Sequence, residues 1–317
     1  MGSNFFGTTP LPRLVYALVR SRFRGGARLL LSGVAMAAAA GCTVRLDSQS
    51  QIVREERRFP VTGTPTLHAS TFDGSIHIQS WDKDEVLVEI EKRGATREAV
   101  DALVVTASQK GDTIDLEVVK PHENSFRAGF GMSGSARLTL WVPRSADVRA
   151  RSGDGSIQIG NVRGRIDLHT GDGGIRANDV SGELTLSTGD GSVTVAGAEG
   201  RLTLDTGDGG VNVTGNLASL RLHTGDGSIV YRAGPGTTMS DDWEITTGDG
   251  GVSLYLPQDF GAELDAHTGD GSIRNDLDLA RSGSSEISRR TVRGRLGSGG
   301  RQLRIRTGDG AIRLRAL

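Results

Sequence analysis

The sequence predicts an all-β fold, a parallel β-solenoid (β-helix) with rungs of about 18 residues and two short strands in each rung. The first observation is a phrase of the type Thr-Gly-Asp-Gly, which occurs nine times with small variations, from Asp73 to Asp309. The second is the spacing of its aspartates, which is identical for four consecutive steps from Asp154 to Asp226. A fixed step of this kind indicates one structural unit that is copied and stacked.

The third observation is an alternation of apolar and polar residues on both sides of each phrase, which is typical of half-buried strands. Apolar residues stand four and two positions before the threonine in successive rungs, at Ile166 and Leu168, Leu184 and Leu186, Leu202 and Leu204, and Leu220 and Leu222. A second turn in each rung carries Gly164, Gly182 or Gly200. The 46 glycines therefore fit turn corners around a narrow core of small aliphatic side chains.

Residues 1–41 are predicted to be a signal peptide. They contain five arginines and no acidic residue, and the apolar run 29–40 is too short to span a bilayer as a helix. The run ends in Ala39-Ala40-Gly41-Cys42, which resembles the bacterial lipobox, and Cys42 is the only cysteine. The resemblance implies lipid attachment at Cys42. We therefore expect a protein of the bacterial cell envelope whose N-terminal lipid binds the membrane, at the outer membrane or the periplasmic face.

Residues 42–66 are polar and include a charged run from Arg54 to Arg58, which predicts a tether, with a solvated first strand around Ile52 as the alternative. Residues 67–147 are predicted to form an N-terminal capping region of the solenoid. It contains the phrase at Asp73, strand patterns at 86–90, 104–107, 114–119 and 138–142, and a short helix over 97–103. The strand 138–142 runs into Pro143 and is predicted to be an edge strand.

Residues 148–317 are predicted to form the regular solenoid, in which the two later steps, from Asp226 to Asp249 and on to Asp270, are longer. The last gap, from Asp270 to Asp309, is roughly twice a regular step and predicts two rungs, with a decayed phrase at 297–300. Arg313 and Arg315 alternate with apolar residues in the last strand, which is typical of a protected sheet edge.

These features together resemble the DUF4097 family of bacterial β-strand repeat proteins, which carry the label "putative adhesin". The resemblance covers roughly 67–317. It is carried by Asp73-Gly74-Ser75-Ile76-His77-Ile78, by 138–143 leading into 148–159, by the repeated phrase, and by 296–310. It implies a parallel β-solenoid in the cell envelope. It implies no chemistry, because the family is functionally unassigned.

Asp-Gly between alternating strands also predicts β-hairpins, so a long antiparallel meander is the alternative fold. Such a meander would expose a wide apolar face unless it curled or split, whereas the two strands of a solenoid rung bury that face against each other. The solenoid is therefore favoured.

The aspartates of the phrases are predicted to form a structural turn column. Each carboxylate would accept a local backbone hydrogen bond, and the adjacent glycines would take positive φ. No metal is expected, because calcium-binding repeats have two Gly-Gly-x-Gly-x-Asp units per rung and this chain has one phrase. The column comprises Asp154, Asp172, Asp190, Asp208, Asp226, Asp249, Asp270 and Asp309.

Three histidines, His169, His223 and His267, directly precede a phrase and are expected to face solvent. Rungs lie about 4.8 Å apart, so His169 and His223 would be about 14 Å apart. Two ligands of one zinc ion each lie about 2 Å from it. These histidines therefore cannot share an ion.

The sequence predicts no enzyme and no cofactor, since it lacks a nucleophile elbow, a phosphate loop and a zinc signature. The chain without its leader is acidic, which argues against nucleic acid as a partner. A binding or adhesion module with a protein or glycan ligand on the solenoid face is expected. The alternatives are an envelope scaffold and a polysaccharide-active β-helix enzyme. The outward column that could bind a ligand is Gln158, Arg176, Thr194, Asn212, Val230, Ser253 and Arg274.

Overall fold

A computed structural model describes residues 45–47, 51–119, 134–280 and 286–317, so the predicted signal peptide and Cys42 lie outside the described residues. The described residues form 25 strands and one helix. In chain order these are β1 (Arg45–Asp47), β2 (Gln51–Pro60), β3 (Thr66–Thr71), β4 (Ile76–Trp81), β5 (Glu85–Gly94), α1 (Arg97–Asp101), β6 (Val104–Lys110), β7 (Thr113–Val119), β8 (Gly134–Pro143), β9 (Asp147–Ser152), β10 (Ile157–Gly160), β11 (Arg163–Thr170), β12 (Ile175–Asn178), β13 (Ser181–Thr188), β14 (Val193–Thr206), β15 (Val211–Thr224), β16 (Ile229–Ala233), β17 (Trp243–Thr247), β18 (Val252–Leu256), β19 (Ala262–Thr268), β20 (Ile273–Asn275), β21 (Leu279–Ala280), β22 (Glu286–Ile287), β23 (Thr291–Leu296), β24 (Gln302–Thr307) and β25 (Ile312–Ala316).

Two parallel stacks of strands form the solenoid, and each rung supplies one strand to each stack. The first face contains the strands before the phrases, in the spatial order β7-β3-β9-β11-β13-β14-β15-β17-β24-β19. The second face contains the strands after the phrases, in the order β8-β4-β10-β12-β14-β15-β16-β18-β25-β20. The long strands β14 and β15 belong to both faces, because each begins after one phrase and continues to the next. Because all these neighbours run parallel, the meander alternative is wrong and the predicted solenoid is confirmed.

The core consists of inward columns of aliphatic side chains. Leu204 pairs with Leu186 on one side and Leu222 on the other, and all three are buried, as the alternation predicts. Where the rungs lengthen, aromatic side chains fill a wider core. Trp243 packs edge-on against Tyr231, with their ring centroids 5.4 Å apart. The ring centroids of Trp243 and Phe260 are 5.2 Å apart. Burial raises the pKa of Tyr231, whose hydroxyl donates to the carbonyl oxygen of Gly215 at 3.0 Å.

At the N-terminal end the rungs do not stack in chain order. The rung β3–β4 lies between the later rungs β7–β8 and β9–β10. Strand β8 lies between β4 and β5, so the prediction that 138–142 form an edge strand is wrong. Pro143 is the last residue of β8, where the missing N–H does not interrupt the hydrogen-bond ladder.

Beyond β8, the second face continues with antiparallel strands. Strand β5 pairs with β8, β2 pairs with β5 along its whole length, and β1 pairs with β2. The tether prediction is therefore wrong for 51–60, where the alternative of a first strand describes the structure. Within this sheet the side chains of the charged run form cross-strand ion pairs, such as Arg54 with Glu91 at 2.8 Å and Arg58 with Glu85 at 3.0 Å.

The C-terminal end is also out of order. The last rung, β24–β25, lies between β17–β18 and β19–β20, and all four of its strand pairings are parallel. Strand β23 runs antiparallel on the other side of β19, with β21 and β22 beside it. Two predictions are wrong as a result. The gap between Asp270 and Asp309 does not hold two parallel rungs, and β25 is not an edge strand.

Residues 297–300, predicted to be a decayed phrase, connect β23 on one side of β19 with β24 on the other side. Gly297, Gly299 and Gly300 have φ values of 50°, 76° and 133°. Residues with a Cβ rarely adopt these values, so the glycines allow the chain to reverse within a short connection.

The predicted short helix is α1, whose start is fixed by Thr96. The hydroxyl of Thr96 accepts a hydrogen bond from the backbone N–H of Ala99 at 3.2 Å. In the described part of the chain, no helix has the length and apolar character needed to cross a membrane.

Candidate functional site

The repeated turn is held by a column of buried hydroxyl groups directly before each Gly-Asp-Gly, or before Phe-Asp-Gly in the first copy. The hydroxyl of Thr188 donates to the carbonyl oxygen of Gly173 in the preceding rung at 2.8 Å and accepts from the N–H of Gly191 at 3.2 Å. A Thr or Ser precedes each of these turns in the sequence, but the column was not among the predicted site residues. Its members are Thr71, Ser152, Thr170, Thr188, Thr206, Thr224, Thr247, Thr268 and Thr307, each at most 5% exposed.

The glycines of the phrase are required by close approach of neighbouring rungs. A Cβ on Gly173 would lie 2.2 Å from the carbonyl oxygen of Gly155, and a Cβ on Gly191 would lie 2.0 Å from that of Gly173. The expectation of positive φ is wrong for both glycines of the regular phrases. Positive φ occurs instead at the second turn, for example 120° at Gly182.

The eight predicted column aspartates all lie on the exposed surface at this corner. Among the described residues, Asp270 forms an ion pair with Nη1 of Arg290 at 3.7 Å, and the other seven carboxylates have no hydrogen bond or ion pair. The expected local hydrogen bond is therefore made by the threonine hydroxyls and not by the carboxylates. No three His, Cys, Asp or Glu side chains in the described ranges are grouped so as to hold a metal ion.

The three predicted histidines are exposed, as expected, and two of them contact a hydroxyl in the neighbouring strand. Nδ1 of His169 lies 3.0 Å from Oγ of Ser187, and Nδ1 of His267 lies 3.0 Å from Oγ1 of Thr291. The predicted outward column from Gln158 is aligned on the second face, except that Arg313 of β25 lies between Ser253 and Arg274.

The first face carries a groove lined by polar and charged outward side chains at its N-terminal end, where the regular repeat stops. Its volume is about 460 Å³, and it extends from β6 across β7 and β3 to β9. We call it the β6–β9 groove. Strand β7 contributes two acidic side chains to it, and β9 contributes two arginines. The outward side chains that line it are His68, Ser70, Thr106, Ser108, Asp115, Glu117, Arg149 and Arg151.

Two rows of these side chains cross the strands in register. One row contains Asp115, His68 and Arg149, and the other contains Glu117, Ser70 and Arg151 on the same three strands. In both rows an acid lies on β7 and an arginine on β9. The repeat does not predict this site, because the array is interrupted between Asp73 and Asp154 and the spacing of the phrases does not show which strands become neighbours.

A second non-repeating surface lies on the second face, where Trp81 and Trp141 have ring centroids 6.3 Å apart. The indole Nε1–H of Trp81 donates to the carbonyl oxygen of Glu85 at 2.8 Å, and Nζ of Lys83 lies 4.4 Å from the ring centroid. The ring of Trp81 therefore already has contacts within the chain, a hydrogen bond to the backbone and a cation–π contact with a lysine. The β6–β9 groove is the stronger candidate for a ligand.

The fold and its repeated turn define the class, a parallel β-solenoid with two strands per rung. The chain belongs to the DUF4097 family, described as Toastrack, whose model matches residues 66–315. No curated protein matches the chain.

Several solved structures are similar to this chain at low sequence identity. A putative lipid binding protein from Parabacteroides distasonis has a TM-score of 0.42 and 14% identity, covering 82% of this chain and 96% of that chain. A putative adhesin from Bacteroides fragilis has a TM-score of 0.41 and 13% identity, with the same coverage of 82% and 96%. A putative cell adhesion protein from Clostridium sporogenes has a TM-score of 0.27 and 11% identity, covering 83% and 100%. The family assignment rests on the family match.

Proposed function

We propose that the protein is a lipid-anchored binding module of the bacterial cell envelope that acts by surface contact and not by catalysis. The observation that carries the proposal is the β6–β9 groove, a concave, mixed-charge surface at the point where the repeat is broken. Regular rungs present nearly the same turn many times, whereas a specific ligand needs a local, non-repeating arrangement of polar groups. The groove replaces the column from Gln158 as the proposed binding surface.

The binding proposal is tested with Ser70→Trp, which places a large side chain in the middle of the groove. Ser187→Trp is the matched control, because Ser187 lies in the same outward column of the first face, outside the groove. Both serines are partly exposed, so both variants are expected to fold. Biotin-labelled protein would be incubated with isolated envelopes of the producing cells, and the bound amount measured. We expect at least a tenfold loss for Ser70→Trp and parental binding for Ser187→Trp. Equal binding of both variants would refute the groove as the binding site.

The anchor is tested separately by Cys42→Ser. A cysteine-borne lipid would be the main apolar contact with the membrane, so the variant is expected to move from the membrane fraction to the soluble envelope fraction. The measurement is an immunoblot of the two fractions. If the variant remains with the membrane, the lipid anchor is excluded while the binding proposal stands.

An envelope scaffold is the second candidate, and the out-of-order end rungs favour it because they join distant parts of the chain at both ends of the stack. A scaffold would depend on the length of the solenoid and not on the groove. Ser70→Trp would then be without effect in cells, and removal of one complete rung would change the envelope phenotype. An enzyme acting on polysaccharide would instead release reducing ends from envelope glycans, which the proposed module does not.

A further inference from the structure

The two rows of the β6–β9 groove have the same layout but differ in how their charges are used. In the first row, Nδ1 of His68 lies 2.8 Å from Oδ1 of Asp115. Nε of Arg149 in that row donates to Oδ2 of Asp167 at 2.9 Å.

In the second row, Glu117 and Arg151 lie on either side of Ser70. Within the described ranges, neither the carboxylate of Glu117 nor the guanidinium of Arg151 has a hydrogen bond or an ion pair. Both side chains are exposed. The second row therefore offers one free negative and one free positive group to a ligand.

We propose that this second row binds a zwitterionic group, in which an ammonium contacts Glu117 and a carboxylate or phosphate contacts Arg151. The inference rests on the proposed binding function and assigns a ligand class to the same groove. A ligand with a single charge would leave the opposite side chain of the row unpaired, whereas a zwitterion satisfies both. The charge-assisted hydrogen bonds at its two ends are stronger than neutral ones.

The spacing of the strands sets the size of the ligand. Strands β7 and β9 are separated by β3 and are therefore about 10 Å apart. Where the two side chains extend side by side from the sheet, a charge-assisted hydrogen bond of about 2.8 Å at each end leaves about 4 Å between the ammonium nitrogen and the nearest anionic oxygen. That separation corresponds to a spacer of a few bonds, as in β-alanine or phosphoethanolamine. The hydroxyl of Ser70 lies between the two ends and can donate to the anion.

The same chemistry could come from a free small molecule or from a lipid headgroup. Isothermal titration of the purified protein with O-phosphoethanolamine and with β-alanine tests the free form. Co-sedimentation with phosphatidylethanolamine vesicles, compared with phosphatidylcholine vesicles that lack ammonium N–H donors, tests the lipid. Ethanolamine and inorganic phosphate serve as single-charge controls.

We expect at least one of the two zwitterions to bind at least tenfold more tightly than ethanolamine or phosphate. Glu117→Gln and Arg151→Gln should each raise its Kd at least tenfold without changing the melting temperature. Arg176→Gln and Asp205→Asn, which change exposed charges on regular rungs, should leave the Kd unchanged. Tighter binding of phosphatidylethanolamine vesicles than of the free headgroup would identify the lipid as the source.

The proposal is overturned if neither zwitterion binds, if the single-charge compounds bind equally well, or if both second-row variants bind like the parent protein. These outcomes are distinguishable from failure of the proposed function. If Ser70→Trp abolishes envelope binding while zwitterions do not bind, the groove is a binding site for another class of ligand. If Ser70→Trp has no effect on envelope binding, the groove is not the binding site and the proposed function fails at this surface.

Discussion

The middle rungs and the two ends of this solenoid use the same kind of strand but connect it differently. From β9 to β18 each rung lies on the one before it, so its partners are its nearest neighbours in sequence. At each end one rung is inserted out of chain order. The rung β3–β4 lies between two later rungs, and the last rung β24–β25 lies between two earlier ones. The middle is therefore modular, as in other repeat proteins, whereas each end is held together by contacts between distant parts of the sequence.

The largest expected effect comes from removing one rung from each region. Deletion of 189–206 removes one complete middle rung and joins Thr188 to Gly207, which restores the phrase and the registers of both faces. Deletion of 302–317 removes β24–β25 and leaves an unfilled gap between β17–β18 and β19–β20. We expect the first variant to fold cooperatively and the second to lose cooperative folding or aggregate through its exposed edges.

Thermal unfolding followed by circular dichroism, together with size-exclusion chromatography, would measure this difference. The shorter deletion at the C terminus should be the more damaging of the two. If the variant without β24–β25 melts like the parent, the out-of-order insertion does not stabilise the end.

A smaller, local effect is expected from Leu204→Asp in the middle of the stack. The substitution places an unpaired charge in a column where the parent side chain is 1% exposed, and should destabilise the protein by several kcal/mol. Thr203→Asp is the matched control, because Thr203 is the outward neighbour in the same strand. Urea unfolding should show a large loss of stability for the inward variant and little change for the outward one. Similar losses for both would contradict the inward assignment of Leu204.

The hydroxyl column is tested by Thr188→Val, which keeps the shape but removes the bonds to Gly173 and Gly191. Leaving buried backbone groups without partners should destabilise the turn by about 1–3 kcal/mol. Thr188→Ser retains the hydroxyl and should be closer to the parent, since Ser152 occupies the same position in another rung. Chemical denaturation of the three proteins gives the comparison. A valine variant as stable as the serine variant would show that the hydroxyl is dispensable.

The smallest effect is expected at the C-terminal junction, where Asp265 of β19 is bonded from both sides. Burial would raise the pKa of Asp265, but hydrogen bonds from Arg306 and Arg293 and their charges outweigh burial and lower it. A lowered pKa in the folded state stabilises the protein above the pKa of the unfolded state, and that stabilisation is lost as pH falls through the folded pKa.

Asp265→Asn should therefore destabilise the protein by about 1 kcal/mol at pH 7 and by progressively less as pH falls below about 4. Unfolding of parent and variant at pH 7 and pH 3 gives the two differences directly. Taking the difference between parent and variant at each pH cancels the contributions of Glu55 and Glu91. Burial would raise the pKa values of these two groups, but ion pairs at the N-terminal end outweigh it and lower them. An equal difference at both pH values would show that the charge of Asp265 is not involved.

The sequence predicts the middle of the solenoid well because each middle rung pairs with the rungs directly before and after it in the chain. Alternation marks Leu184, Leu186, Leu202 and Leu204 as inward, and all four are buried. The order of the end rungs is not predictable in this way. Rungs that carry the same phrase can pair with one another in the same register. The pattern around Asp309 therefore does not predict that its neighbours are the rungs of Asp249 and Asp270.

The candidate site was missed for a related reason. The acids of β7 and the arginines of β9 face each other across β3, which comes from an earlier part of the chain and lies between them. The threonine column, by contrast, was available in the sequence, because a Thr or Ser directly precedes each regular Gly-Asp-Gly. The carboxylate of the phrase was predicted to accept a local hydrogen bond, but the neutral threonine makes the hydrogen bonds of the turn.

The inserted last rung also determines how the protein would respond to mechanical load. Strands β24 and β25 are bonded along both sides, and the N–H of Leu317 donates to the carbonyl oxygen of Leu256 at 3.0 Å. A strand at a free edge can be peeled away one bond at a time. Tension on Leu317 along the strand axis would instead shear two ladders at once, so the C-terminal end resists pulling more strongly than its short length suggests.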